Sequence, residues 1–156
     1  MKNTLLFLIL ILTGCERPRS LQPVAADSTV VISNDTVPGI RKSVQPNAIA
    51  SFTEPVKDAL NDWKFAVSVY QTEKTFSFLV RMQYKELRTA ESFRIPNFGI
   101  QPKIEIRKGK EPLSCIIGFL DKKDLFKEYI KVSIKGEQLK FTKINSYFVG
   151  AYRTKT

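Results

Sequence analysis

From Trp63 to Met82 the sequence alternates with a period of two. Trp63, Phe65, Val67 and Val69 fall on one face, and Lys64, Ala66, Ser68 and Tyr70 on the other. After the polar break Gln71-Thr72-Glu73-Lys74, Phe76, Phe78, Val80 and Met82 alternate with Ser77, Leu79, Arg81 and Gln83. A helix would scatter these apolar residues around its circumference, whereas a strand gathers them on one side. Two such runs around a short polar break predict a β-hairpin with one buried face.

The rest of the chain fits the same pattern. Arg88 to Ile95 reads as a strand ended by Pro96-Asn97, and Pro102 to Arg107 alternates. Ser114 to Leu120 is apolar on both faces, which predicts a central strand buried on both sides. Ile130, Val132 and Ile134 alternate with Lys131, Ser133 and Lys135; Leu139, Phe141 and Ile144 mark a further strand, and Tyr147 to Tyr152 ends the fold. Turn residues stand at Lys108-Gly109-Lys110, Asp121 to Asp124, Lys135-Gly136-Glu137 and Asn145-Ser146. Short strands separated by turn signals predict an all-β domain over residues 53–156, a β-sandwich of about seven strands, immunoglobulin-like or transthyretin-like. Thr53 can cap a helix, and Glu54 and Pro55 suit its first turn, so a short helix is expected there, packing Leu60 on the sheet. No internal repeat is present.

The other end of the chain differs in kind. Lys2 is followed by the apolar run Leu5-Leu6-Phe7-Leu8-Ile9-Leu10-Ile11, which closes on Leu12-Thr13-Gly14-Cys15. That run is far shorter than the roughly 20 residues of a spanning helix. A cation, a short apolar core and small residues make an export signal. By themselves these residues also fit a signal peptide cut elsewhere or a short retained anchor. Leu12-Thr13-Gly14-Cys15 resembles the lipobox of bacterial lipoproteins, in which an aliphatic and two small residues precede the cysteine that becomes the lipidated N-terminus. The resemblance implies a signal peptide over residues 1–14 and acyl chains on Cys15. It also implies an envelope location, expected to be the outer membrane facing the periplasm. Each buried methylene contributes about 0.8 kcal/mol, and two or more chains hold stably. Residues 15–52 then read as a flexible tether, with Pro23, Pro38 and Pro46 among small polar residues. Ser28-Thr29-Val30-Val31-Ile32-Ser33 is its exception, with strand propensity that suits a sheet edge on this domain or on a partner.

Lipidation of Cys15 leaves Cys115 alone, so no disulfide staples the monomer; in its apolar run Cys115 reads as a buried structural thiol. The chain has no histidine, which removes Ser-His-Asp, Cys-His and histidine-based zinc sites. No glycine-rich phosphate loop appears. Asp121 and Asp124 flank Lys122 and Lys123, which oppose a bound cation. The reading is a non-enzymatic protein with no cofactor and no metal.

The formal charge is +10. From Lys57 onward, 20 Lys and Arg face 11 Asp and Glu, so anionic partners are favoured; export disfavours nucleic acid. Two clusters stand out: Lys103, Arg107, Lys108 and Lys110, then Lys122, Lys123, Lys127 and Lys131. Each lies on or beside a turn, and the expectation is that they gather at one end of the sandwich and face a partner. Their alternative role is to keep edge strands soluble. Tyr129, Tyr147 and Tyr152 are either aromatic anchors for a partner or half-buried residues of the sandwich. Ser114 to Arg153, with Cys115-Ile116-Ile117-Gly118-Phe119-Leu120-Asp121 and Tyr147-Phe148-Val149-Gly150-Ala151-Tyr152-Arg153, resembles small lipoproteins that accompany conjugation or secretion machinery in the Bacteroidetes. That resemblance implies a protein-binding component of an envelope assembly, with the lipid fixing one end and the β-domain docking a periplasmic partner. A module for an anionic envelope ligand and an inhibitor or immunity lipoprotein are the alternatives.

Overall fold

The structure, a computed structural model, describes residues 37–149. The expected signal peptide, Cys15, Ser28 to Ser33 and Tyr152 lie outside the described residues.

Eight strands form two antiparallel four-stranded sheets. The first holds β1 (Ala50–Pro55), β2 (Lys64–Gln71), β3 (Ser77–Tyr84) and β4 (Leu87–Arg94); the second holds β5 (Lys103–Lys108), β6 (Ser114–Leu120), β7 (Phe126–Lys135) and β8 (Gln138–Lys143). Within each sheet the strands lie in chain order. Tight turns keep neighbours in sequence paired: at Gly136 and Glu137 both φ angles are positive, at 55° and 64°, the backbone of a two-residue hairpin. Immunoglobulin sandwiches exchange strands between sheets. Here the chain changes sheet once, between β4 and β5, so the expected immunoglobulin-like order is replaced by two stacked meanders. Nothing in that order singles out the transthyretin-like type.

The hairpin read from Trp63 to Met82 is β2 and β3, except that Trp63 stops short of β2 and is only half-buried, and buried Phe76 belongs to the turn before β3. Phe65, Val67, Val69, Phe78 and Val80 are fully buried, with Met82 nearly so. They face Cys115, Ile117 and Phe119 of β6 and Ile130 and Val132 of β7 in one core. Burying each large side chain contributes roughly 1.5–3 kcal/mol. Ser114 to Leu120 forms β6, an interior strand as expected. At one end the core becomes aromatic: Phe78 stacks on Phe93 at 5.3 Å, Phe93 meets Tyr129 at 6.0 Å, and Phe119 meets Tyr129, Phe98 and Tyr147 at 6.1, 5.4 and 5.2 Å. Those rings tie β3, β4, β6, β7 and the segments after β4 and β8 together.

The strand count exceeds the expected seven because of β1. It runs across the expected domain boundary at residue 53 and takes Thr53, Glu54 and Pro55, which read as a helix start. No helix forms among the described residues. Pro55 lacks a backbone N–H, which an edge strand tolerates. After it, Asp58 Oδ1 accepts the Leu60 and Asn61 backbone N–H groups at 2.9 and 2.8 Å, a local turn that competes with helix. Leu60 is 93% exposed rather than packed on the sheet.

Residues 37–49, read as tether, also belong to the fold. The Ile49 N–H donates to Val69 O at 2.8 Å, and the Thr75 N–H to Gly39 O at 2.9 Å. Thr75 Oγ1 donates to Pro38 O at 2.6 Å. Arg41 donates to the carbonyls of Thr72 and Thr75 and lies 5.2 Å from the Phe78 ring centre. The segment is thus stapled to the β2–β3 turn. Both ends of the described chain lie at this end of the sandwich, with the 121–125 loop.

Candidate binding surfaces

The register of β5 and β6 separates the cations that the sequence groups together. Lys103 pairs with Leu120 and Lys108 with Cys115, so β5 spreads its cluster over about 17 Å. Lys103 joins Lys122, Lys123 and Lys127 near the 121–125 loop, while Lys108 and Lys110 lie at the opposite end. The two clusters do not gather at one end as expected.

Most of these cations are also neutralised. Lys103 pairs with Asp124 at 3.2 Å, Arg107 with Glu105 at 2.9 Å and Lys108 with Glu54 at 3.5 Å. Lys127 pairs with Asp121 at 3.2 Å and Lys131 with Glu111 at 2.7 Å. Of the expected partner-binding set, only Lys110, Lys122 and Lys123 make no ion pair among the described residues. Exposed pairs of this kind add little stability, but they cancel the local field that would draw an anion. The Lys108–Glu54 pair joins β5 to β1 across the two sheets. Arg107 also lies 3.9 Å from the Phe126 ring centre, covering an aromatic on the outer face of the second sheet.

Asp121 is a loop organiser. Its Oδ1 accepts the Lys123 and Leu125 backbone N–H groups at 2.8 and 3.0 Å. The Leu125 bond leads in holding its carboxyl below the usual range. With Asp124 taken by Lys103, the loop carboxylates already have partners. Among the described residues no group of three His, Cys, Asp or Glu side chains is placed to hold a metal.

Cys115 is buried, and burial pushes its thiol up to about 12. The thiolate that nucleophilic chemistry needs is therefore absent near neutral pH. Tyr129 and Tyr147 are built into the sandwich rather than offered as anchors. Tyr129 is 5% exposed and donates its hydroxyl to Arg94 O at 2.8 Å; the Tyr147 hydroxyl donates to Glu128 O at 2.9 Å.

A different surface stands out. The register aligns Thr53, Ala66, Gln83 and Arg88 across the four strands of the first sheet, and Ser51, Ser68, Arg81 and Ala90 beside them. Tyr70, Leu79 and Ser92 form the next row, and Pro55 with Lys64 and Ser77 with Arg94 bound the sheet's ends. These residues lie on the face away from the core. They include four cations, Lys64, Arg81, Arg88 and Arg94, and no carboxylate. None of the four makes an ion pair among the described residues. Serine, threonine and alanine on β1 and β2 leave a shallow trough of about 740 Å³, with Lys64, Tyr70, Arg81 and Arg88 among its lining residues. Ser51 Oγ and Ser68 Oγ lie 3.2 Å apart on its floor. The Arg81 guanidinium sits 4.7 Å from the Tyr70 ring centre, which holds its charge in place. Such a face can bind an anion through charge-assisted hydrogen bonds from arginine.

This surface has no linear signature. Its arginines come from separate strands, and only the register brings them together. The alternation assigns Lys64 and Arg81 to the polar side of the hairpin, and the signal in the sequence is that this side carries no acidic residue. No protein-family model matches the chain, and no curated protein or solved structure matches it.

Proposed function

We propose that this chain is a lipid-anchored protein of a bacterial envelope, held through Cys15, that binds another envelope protein and catalyses no reaction. Leu12-Thr13-Gly14-Cys15 at the end of its apolar run carries this reading. Acyl chains on Cys15 hold the protein at the outer membrane, facing the periplasm. Attachment at the end that carries the β2–β3 turn leaves both sheet faces open to a partner. The buried, protonated thiol and the lack of histidine support binding over catalysis. On this reading the chain is an accessory part of a conjugation or secretion assembly.

A second reading, capture of an anionic envelope ligand, is favoured by the acid-free face of the first sheet. A pull-down of the tagged full chain from detergent-solubilised native membranes separates the two. Recovery of stoichiometric envelope subunits is the expected result. Recovery of the chain alone, under conditions that keep membrane assemblies intact, contradicts the first reading.

A further inference from the structure

We infer that the trough on the outer face of the first sheet binds an extended acidic segment of a partner polypeptide. The inference rests on the protein-binding reading above and names the surface and the chemistry of that contact. Two features of the trough point to an anion: Lys64, Arg81 and Arg88 line it without an ion pair among the described residues, and no carboxylate shares their face. By contrast, the outer face of the second sheet mixes Lys103, Arg107 and Lys131 with Glu105 and Glu128.

Shape and spacing choose among anions. The trough's lining runs across the four strands of one sheet, three strand spacings or roughly 14 Å, which matches the width of a single extended chain with its side chains better than a broad, flat bilayer surface. Sugar rings stack on free aromatic faces, but Tyr70, the one ring lining the trough, is already covered by Arg81. An extended polypeptide fits both limits. Arg81 faces Ala90, and Arg88 lies two residues along β4 from it. That diagonal separates the two arginines by about 7–8 Å at the backbone. Acidic side chains at alternate positions of an extended chain repeat about every 6.6 Å on one side. The Arg81 guanidinium leans over Tyr70, away from Arg88, so carboxylates two or four positions apart on an extended chain, about 7 or 13 Å, can meet the two arginines, while the hydroxyls of Ser51, Thr53 and Ser68 line the same face. The sheet fixes the backbone positions of these arginines, and Tyr70 holds the Arg81 guanidinium, so part of the site is ordered before the partner arrives, which lowers the ordering cost of binding.

The test uses the full chain in a non-ionic detergent and a fluorescein-labelled peptide of alternating glutamate and threonine, with its glutamine counterpart as control. Anisotropy should show binding of the acidic peptide and at least tenfold weaker binding of the glutamine peptide. The double variant R81E/R88E should lose at least tenfold in affinity, and R81Q/R88Q should lose less. K122E/K123E removes the same number of unpaired cations elsewhere and should stay within twofold of the parent. Unchanged thermal midpoints show that the variants fold. Equal losses in R81E/R88E and K122E/K123E would mean diffuse charge attraction and overturn the inference. So would absence of peptide binding, or R81E/R88E weakening attachment to phosphatidylglycerol vesicles or an acidic polysaccharide while leaving peptide binding intact. A native partner that co-purifies equally with R81E/R88E and with the parent overturns this surface while leaving the protein-binding reading standing.

Discussion

Gly118 shows how one residue sets the local shape of a sheet. A Cβ placed on it would meet Lys127 O at 2.3 Å and the Phe126 ring at 2.5 Å. The ring can turn, but the carbonyl belongs to the paired strand β7. The register slips between Ile117 and Gly118, and the bulge re-aims the backbone, so that both Tyr129 and Ile130 are buried. Gly118→Ala should therefore destabilise the fold by about 1–3 kcal/mol through overpacking, seen as a lower urea midpoint with an unchanged slope; an unchanged midpoint would show that β7 moves freely. The sequence did not announce this site. It placed Gly118 in an apolar run, and that run correctly predicted the burial of Cys115 and Ile117. What it lacked was the partner strand, since the obstruction comes from residues eight and nine positions later.

The element that was least legible is β1. Its alternation is present, with Ala50, Phe52 and Glu54 half-buried against exposed Ser51, Thr53 and Pro55. However, Thr53-Glu54-Pro55 also carries the chemistry of a helix start, and the prolines before it resemble a tether. Pairing with β2 decides the outcome: every residue of β1 finds a partner there, and Phe52 meets Phe65 at 6.2 Å. By comparison β2 and β3 were legible because their buried faces are unmixed and their breaks polar. A chain beginning at Val37 should keep the thermal midpoint of the full chain, measured by circular dichroism. A chain beginning at Thr53 loses half of β1 and the Arg41 staple, and should unfold at much lower temperature or aggregate through the exposed edge of β2. Equal midpoints for the two truncations would restore the boundary first read from the sequence.

At the level of the whole molecule, two meanders joined once give two outer faces of different electrostatic character. The linear lysine clusters, conspicuous in the sequence, are mostly spent on ion pairs with Asp121, Asp124, Glu105, Glu54 and Glu111. The cations without such partners on the first sheet are dispersed along the chain and become one surface only through pairing. Composition was thus a sound guide to the sign of the charge and a poor guide to its location. Across the two sheets, Lys85 reaches Glu137 at 2.7 Å; this hydrogen bond raises the lysine and lowers the carboxyl from their usual ranges. It spans the end opposite the entry of the chain, which leaves the entry end for the proposed anchor. That anchor is tested most directly by fractionating cells that express the full chain or its Cys15→Ser variant, with a high-salt wash to strip electrostatic attachment. The lipid-anchor account predicts that the parent stays with the membranes, its mature N-terminus carrying the mass of acyl chains, and that the variant is released as a folded protein. A variant that remains in the washed membranes, or a parent without added lipid mass, would contradict it.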